Sequence, residues 1–258
     1  MKTKKANPWW TRWQRRWRQL RGHQQTKTHQ VDWVWIDGER QKRVRFATPA
    51  EASAVVAGLT GLEPTGCFPA LLGHAGRDVF MEFIPKARAG VPLADGVAGF
   101  YRAIYHHQLN PSPTLKPATL ALAELSEGLM SLHSAGWIDD DLKKRVEHHA
   151  HQHAPAMMAT GHDYVDAVAK NFMFHQGRWV GIDVEAIERE RWLGLGLAKA
   201  EYRGLVAARD PDHWGIQDPV WINQYPIVRL NFLVTYFNTK LAQGKPGHIR
   251  IQALADAL

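Results

Sequence analysis

Three polar residues in the second half of the chain have the types and spacing that phosphoryl transfer requires. Asp166 lies five residues before Asn171, and Asp183 follows twelve residues after Asn171. Amide and carboxylate oxygens are ligands that Mg²⁺ prefers, and a second carboxylate can accept a proton from an attacking hydroxyl. The sequence therefore predicts a site for a divalent metal bound to a nucleoside triphosphate.

A β-hairpin is predicted to hold these side chains in place. Asn171–Phe174 is a short apolar run, residues 175–177 have turn composition, and Arg178–Glu185 is rich in β-branched and aromatic residues. A hairpin is a rigid ribbon, so polar groups at its ends would keep a fixed separation. Asp and Asn are also common in ordinary turns, and a hairpin with surface polar ends is the alternative interpretation.

The spacing resembles the catalytic loop and the metal-binding segment of the protein-kinase-like fold. The run Asp-Ala-Val-Ala-Lys-Asn from Asp166 to Asn171 is similar to the former, and Ile-Asp-Val-Glu around Asp183 to the latter. Tyr164 stands where protein kinases have His, and Val184-Glu185 follows Asp183 where they have Phe-Gly. The chain thus resembles small-molecule kinases, such as aminoglycoside and lipopolysaccharide-core sugar kinases, more than protein kinases.

This resemblance implies an α+β fold with two lobes. Residues 30–85 would form a small antiparallel-sheet N-lobe, and residues 86–258 a helical C-lobe with an insertion at about 139–160. It also implies ATP and Mg²⁺ as cofactors and a small-molecule or glycolipid hydroxyl as acceptor. The implied roles are a base (Asp166), metal ligands (Asn171, Asp183 and Glu185) and cofactor-binding residues (Arg45, Glu82 and Lys170).

The N-lobe elements can be read from local patterns. Residues 30–47 alternate as a hairpin around an Asp-Gly turn, which is typical of type I′. Thr48-Pro49-Ala50-Glu51 then opens a helix as a capping box with Pro at the first helical position. The strand Asp78–Ile84 would lead into the hinge that binds adenine, and Glu82 lies within it.

The phosphate-binding cation is ambiguous in the sequence. Lys42, Arg43 and Arg45 all lie on the return strand, and alignment with the following helix favours Arg45. Arginine is not a neutral replacement for the compact ammonium of lysine at such a position. No Gly-rich loop precedes residue 40. These departures keep open a nucleotide-binding or membrane-associated module without turnover.

The C-lobe contains a second candidate for the base. Residues 117–135 form a strong amphipathic helix, and the run that follows it brings Asp141 to a position resembling a catalytic loop. Val146 stands five residues later where Asn is needed, so Asp166 is favoured. The segment 139–160 is then expected to be a long loop.

Four histidines lie in that segment: His148, His149, His151 and His153. They could bind Zn²⁺, but a polar, solvated helix end is the simpler interpretation. Further along, residues 193–205 and 227–241 are predicted helices, and 209–224 a surface loop.

Composition narrows the class of protein. One cysteine, Cys67, excludes an internal disulfide framework and indicates a reducing compartment. No run approaches the apolar length of a transmembrane helix, and the basic start lacks the apolar segment of a secretory signal. A cytoplasmic protein is expected. The oligomeric state cannot be read from the sequence.

The positive charge is concentrated at the start of the chain. Eight basic residues and no acidic one lie in residues 1–21, whereas the whole chain carries +7. Trp9, Trp13 and Trp17 recur at helical spacing among arginines, which suits contact with an anionic membrane surface through residues 9–21. Packing of this stripe on the protein body is the alternative. No DNA- or RNA-binding motif accompanies the segment.

Overall fold

In the computed structural model, the described residues are 29–87, 89–110, 112–207 and 214–258. The Trp- and Arg-rich segment predicted at residues 9–21 lies outside them, as do residues 209–213 of the predicted loop. Within the described part, no helix is long and apolar enough to cross a lipid bilayer.

The chain begins with a four-stranded antiparallel sheet. Its strands are β1 (Gln30–Ile36), β2 (Glu39–Arg45), β3 (Leu71–Ala75) and β4 (Asp78–Glu82), in the order β1-β2-β4-β3. Asp37 and Gly38 in the first turn have φ of 51° and 80°, which is the left-handed conformation of a type I′ turn. The predicted hairpin is therefore confirmed.

Helix α1 (Pro49–Leu62) connects β2 to β3. The amide of Glu51 donates to Thr48 Oγ1 over 3.2 Å, and the Glu51 carboxylate accepts from the amide of Ala47 over 3.2 Å. Glu51 is thus held at the helix start, and its carboxylate is used to stabilise the first turn.

One face of the sheet packs against α1 and carries the buried side chains. Val44, Val79 and Met81 are 0% exposed, and the register pairs Val44 with Val79 and Lys42 with Met81. Side chains alternate along a strand, so Lys42 shares this inward face with Val44, whereas Arg43 and Arg45 lie on the outward face.

The remainder of the described chain is mainly helical. Its helices are α2 (Leu93–Leu109), α3 (Ala118–Ser134), α4 (Asp140–His153), α5 (Leu195–Tyr202), α6 (Pro219–Ala242) and α7 (Gln252–Ala255). The helices α3 and α6 approach closely at Gly128, where a Cβ atom would lie 2.4 Å from Val234 Cγ1. Asn238 Nδ2 donates to the carbonyl of Gly128 over 2.9 Å and fixes this crossing.

Two small sheets lie among these helices. Strands β5 (Thr114–Pro117), β6 (Met157–Tyr164) and β9 (Ile187–Trp192) form one antiparallel sheet, and β7 (Phe172–His175) pairs with β8 (Arg178–Gly181). Because β6 ends at Tyr164 and β9 begins at Ile187, the segment between them returns to its starting point. Residues 165–186 are therefore held at both ends.

Several boundaries differ from the sequence predictions. Residues 139–160 are not a loop: they hold α4 and the first part of β6. The Asp139 carboxylate caps α4 by accepting from the amide of Leu142 over 2.8 Å, and Val146 and Ala150 bury one narrow face. That stripe of two small residues gives too weak a helical period to be recognised. Helix α2 was likewise not predicted, and the strand expected to reach Glu185 ends at Gly181.

Candidate active site

The side-chain amide of Asn171 lies between the two predicted carboxylates. Its Nδ2 atom is 3.0 Å from Asp166 Oδ2 and 3.3 Å from Asp183 Oδ2, and it also donates to the Asp166 carbonyl over 3.0 Å. Asn171 is 5% exposed. The three residues singled out by spacing thus form one contiguous polar group.

Tyr164 fixes the backbone of this group. Its hydroxyl donates to the carbonyl of Asn171 and accepts from the amide of Asp183, each over 3.3 Å. The ring is fully buried and packs edge-on to Phe68, Phe100 and Phe172 at 5.4–5.6 Å. The residue that departs from the protein-kinase pattern therefore ties together the two segments that carry the site.

The carboxyl of Asp183 carries an excess of nearby negative charge. Burial is the main cause that raises the pKa of Asp183 to about 7. The hydrogen bond and the charge of Glu185, and then the charge of Asp166, act in the same direction, whereas the positive charge of Lys42 opposes them. Burial also acts to raise the pKa of Glu185, but His29, Asp183 and Lys42 together hold it below its usual range. Asp183 therefore keeps its proton more readily than an ordinary carboxyl group, because the charge of Glu185 lies beside it.

Glu185 is buried beside this pair, with a side chain 9% exposed. His29 Nε2 lies 2.9 Å from Glu185 Oε1. The charges of Asp166, Asp183 and Glu185 therefore act on one another here. A divalent cation would neutralise this concentration of negative charge.

The donor set fits a metal that takes part of its coordination from a ligand. Among the described residues, no group of three His, Cys, Asp or Glu side chains could hold a metal ion by itself, and this includes the histidines of α4. The Asn171 side chain lies beside the Asp183 carboxylate, with Nδ2 3.3 Å from Oδ2, and Glu185 follows two residues later in the chain. Mg²⁺ commonly binds through one or two side chains, with phosphate oxygens and water completing the octahedron.

Lys42 is the basic residue that the sheet turns towards this group. Its Nζ donates to the carbonyl of Ile182 over 2.7 Å, directly before Asp183. Arg45 is instead held by Asp78, with two hydrogen bonds of 2.7 and 2.8 Å on the outward face. The structure thus does not bring Arg45 into the site. The sequence could have predicted this, because the alternating apolar residues Val44 and Phe46 place the even-numbered residues of β2, including Lys42, on the inward face.

A second lysine, not found by sequence reasoning, contacts Asp166. Lys199 Nζ forms an ion pair with Asp166 Oδ1, and the two side chains are 17% and 25% exposed. Lys199 comes from α5, whose start is held by the amides of Gly194 and Gly196 donating to Asp163 Oδ2 over 3.1 Å. Lys199 and Asp166 are 33 residues apart, so no local sequence pattern predicts their contact. Lys170, the cation predicted within the catalytic loop, is exposed.

The alternative base, Asp141, lies elsewhere. It occupies the first turn of α4, is exposed, and pairs with Arg145 one turn later over 3.6 Å. The structure therefore brings Asp166, and not Asp141, to Asn171 and Asp183.

Glu82 ends β4 at the junction between the sheet and the rest of the chain. Its carboxylate contacts His175 Nε2 at 2.8 Å and accepts from the amide of Ala70 over 3.3 Å. A cavity of about 720 Å³ opens here, with Arg40, Phe83 and His175 in its wall. This cavity does not include Asp166, Asn171 or Asp183, so it adjoins the polar group rather than containing it.

Comparison with known proteins supports the architecture. No protein-family model matches the chain, and no curated protein matches it. Among solved structures, a protein described as a fructosamine-3-kinase from Thermobifida fusca superposes with a TM-score of 0.57 at 16% identity, covering 90% of each chain. The macrolide 2'-phosphotransferase MphH from Brachybacterium faecium gives 0.53 at 13%, covering 89% of this chain and 88% of its own. An aminoglycoside phosphotransferase, APH(2")-IIa, solved with streptomycin and ATP, gives 0.50 at 12%, covering 100% and 99%.

These similarities define the class of fold. The chain has the protein-kinase-like fold, α+β, with an antiparallel-sheet N-terminal region and a helical C-terminal region. The fold class predicted from residues 161–187 is confirmed.

Proposed function

We propose that the protein is an ATP-dependent phosphotransferase that acts on a hydroxyl of a small molecule or of a glycolipid sugar. The observation that carries the proposal is the position of the Asn171 amide, in contact with both Asp166 and Asp183. In a kinase-like fold, one carboxylate faces the acceptor and the other the metal, and the amide between them fixes their separation.

The proposed roles follow from the contacts of each group. Asp166 would accept the proton of the acceptor hydroxyl, with Asn171 and Lys199 holding its two oxygens. Asn171 and Asp183 would bind Mg²⁺, with Glu185 supporting the site from behind. When bound, Mg²⁺ neutralises the charge of the phosphate oxygens. Catalysis would then depend on positioning and electrostatics without a covalent intermediate.

The nucleotide would lie between the inward face of the sheet and the hairpin β7–β8. Lys42 is the proposed contact for the phosphates, because its ammonium lies on that face beside Asp183. The base would lie at the chain segment after β4, near Glu82. Contact of Lys170 with the nucleotide stays a prediction.

A small acceptor is favoured by the similar structures, which are described as fructosamine, macrolide and aminoglycoside kinases or phosphotransferases. Residues 9–21 are proposed to bring the site to an anionic membrane surface, which would suit a glycolipid acceptor. Nucleic acid is not a proposed partner.

A binding module without turnover is the second candidate. Its supporting observation is the guanidinium of Arg40, which lies 4.2 Å from the centre of the Phe83 ring and 5.2 Å from that of Trp33. Arg40 and Phe83 line the cavity at the end of β4, which does not include the predicted metal-binding carboxylates, so a ligand could bind there without turnover. Gly38 is also the one glycine in residues 30–42, so no Gly-rich loop covers a phosphate there.

The decisive experiment is a thermal-shift titration with ATP and Mg²⁺, comparing the parent with Asp183→Asn. A ligand that binds only the folded state raises the midpoint, so a Mg²⁺-dependent rise in the parent that is lost in Asp183→Asn supports the site. Asp78→Asn is the matched control, because it alters a carboxylate that pairs with Arg45 outside the site. An equal rise in all three proteins would refute Asp183 as a metal ligand, and no rise in the parent would refute the nucleotide site.

Turnover separates the two candidates. Phosphoryl transfer from ATP to a panel of sugars should be measured for the parent and for Asp166→Asn. Loss of a general base costs roughly 10²–10⁴-fold in rate while leaving nucleotide binding in place. Nucleotide binding with no transfer to any acceptor in the parent would favour the binding module.

A further inference from the structure

A group of cations lies next to the proposed base, and only one of them, Lys199, has a role assigned above. It comprises Lys199 in α5, Arg203 directly after α5, Lys240 near the end of α6, and Lys245 and Arg250 in the segment that follows. We call it the α5–α6 cation cluster. Lys199 and Arg203 are four residues apart, so they project from the same side of α5.

Two tyrosine rings organise the cluster. Tyr202 and Tyr236 have ring centres 5.1 Å apart, and the Tyr202 hydroxyl donates to the carbonyl of His248 over 3.1 Å. Around the Tyr236 ring lie Lys240 Nζ at 5.0 Å and Arg203 Cζ at 5.7 Å.

Arg250 Cζ lies 5.9 Å from the Tyr202 ring, which completes the set. Cations from three separate parts of the chain are therefore gathered about one aromatic pair.

Within the part of the chain that the structure describes, few carboxylates lie close to the positive charges of the cluster. Of its members, only Lys199 has a carboxylate partner at ion-pair distance within the described residues, and that partner is Asp166. Lys240 is only 7% exposed. Like charges that converge around a buried lysine are unfavourable unless an anion compensates them.

The repulsion among these cations affects the pKa of Lys240. Burial lowers the pKa of its ammonium, and the charges of Lys245, Arg203 and Lys199 lower it further, with Asp166 acting in the opposite direction. These side chains are thus close enough to act on one another and on the carboxylate of the proposed base.

We propose that the α5–α6 cation cluster binds an anionic group of the acceptor. Specifically, it binds a phosphate carried by the same sugar whose hydroxyl donates its proton to Asp166. This inference rests on the proposed function. A phosphate offers several acceptor oxygens and up to two charges, which suits arginine and lysine converging from several directions. Tyr202 and Tyr236 supply flat surfaces of the kind that contact a sugar ring. A cationic acceptor would be repelled.

The test uses glucose 6-phosphate as the anionic probe and glucose as its neutral counterpart, with binding measured by calorimetry in the absence of nucleotide. The variant is the triple substitution Arg203→Gln, Lys245→Gln and Arg250→Gln, since all three positions are exposed. The control removes the same charge elsewhere through Lys144→Gln, Arg145→Gln and Arg189→Gln.

We expect glucose 6-phosphate to bind the parent and the control equally, and to bind the triple variant at least about tenfold more weakly. Glucose should bind none of them measurably. Equal affinity of the triple variant and the control for glucose 6-phosphate, or no binding by the parent, would overturn the proposal. Lys240→Met is a second variant that removes the buried charge, and it should weaken binding to a similar degree.

A phosphate could also be presented by a lipid. Sedimentation with phosphatidylcholine vesicles, with and without phosphatidic acid, is compared for the parent and the triple variant. Binding to phosphatidic acid that depends on the cluster, without binding of glucose 6-phosphate, would assign the site to a membrane lipid and refute a soluble sugar phosphate.

The two proposals fail separately. Asp183→Asn should retain cluster-dependent binding of glucose 6-phosphate even though it loses the response to ATP and Mg²⁺. If the parent does not respond to ATP but binds the sugar phosphate through the cluster, the phosphotransferase fails and the anion site stands. If the parent responds to ATP but does not bind the sugar phosphate through the cluster, only the proposed anion site is refuted.

Discussion

At the scale of single residues, Tyr164 is the unexpected support of the site. Its hydroxyl bridges the backbone of Asn171 and Asp183, which belong to different turns. Sequence reasoning treated this tyrosine only as a departure from a histidine. The burial of its ring among aromatic residues could not be read from its neighbours in the chain, because Phe68 and Phe100 are distant in sequence.

We expect Tyr164→Phe to destabilise the fold and to weaken binding of Mg²⁺-ATP. The substitution leaves the buried amide of Asp183 without its acceptor, which costs about 1–3 kcal/mol. Chemical denaturation measures the stability, and the thermal-shift titration the affinity. Tyr202→Phe is the control, since water can replace its exposed contact with His248. Equal stability of the two variants would contradict the role given to Tyr164.

Lys42 and Arg45 provide a second prediction about single residues. Lys42→Met should abolish the thermal shift produced by ATP, because it removes the ammonium on the inward face of β2. Arg45→Met should keep that shift and change stability little, as is usual for an exposed ion pair. If Arg45→Met lost nucleotide binding instead, the sequence alignment would have located the cation correctly.

At the scale of elements, the parts with strong local signals were those predicted correctly. The β1–β2 hairpin, the capped start of α1 and the helix α3 each follow from turn residues, a capping box or a repeated leucine stripe. Strand β9 and helix α4 carry mixed charges, and strand β6 has a weak period, so their positions depend on the elements they pack against. The same holds within the site: Asp166, Asn171 and Asp183 share one short segment, whereas Lys42 and Lys199 arrive from distant elements.

The start of α5 depends on the buried carboxylate of Asp163, which accepts from the amides of Gly194 and Gly196 and from Tyr105. Burial raises its pKa to about 6, against these hydrogen bonds. The folded state therefore binds the proton more tightly than the unfolded chain, whose carboxyl has an ordinary value near 3.8. The contribution of Asp163 to stability is greatest below that value and falls as pH rises through about 6.

We expect the parent to lose up to about 3 kcal/mol of unfolding free energy, relative to Asp163→Asn, as the pH rises from 4 to 7. Denaturant unfolding of both proteins across this range isolates the effect of Asp163, because the other titrating groups are common to both. A difference that stays constant or grows with pH would show that the carboxylate is not held in the buried, raised state.

The crossing of α3 and α6 is a prediction about packing. Gly128→Ala would place a Cβ atom 2.4 Å from Val234 Cγ1, so the helices must separate, at a cost of about 1–3 kcal/mol. Gly99→Ala in α2 is the matched control, because its Cβ would meet only Arg102 Nη2 at 3.9 Å. That control should stabilise the protein slightly, since alanine favours helix. Thermal unfolding of the two variants should therefore shift in opposite directions.

At the scale of the whole molecule, the basic N-terminal segment is close in sequence to a residue that contacts the candidate site. The eight basic residues of 1–21 account for the net charge, and His29, at the start of the described chain, contacts Glu185 at the site. A partner bound by the basic segment would therefore be tethered beside the site by a few residues. This connection is what makes a membrane-presented acceptor physically reasonable.

We therefore expect a chain that begins at residue 29 to keep its thermal response to ATP and Mg²⁺ and to lose binding to vesicles that contain anionic lipid. Replacing Trp9, Trp13 and Trp17 by Ala in the full chain should weaken vesicle binding while leaving the basic charge intact, because indole burial at the interface contributes beyond charge attraction. Co-sedimentation at low and high salt separates the two contributions. If the truncated chain bound vesicles as tightly as the full chain, the α5–α6 cation cluster, and not the N-terminal segment, would be the membrane contact.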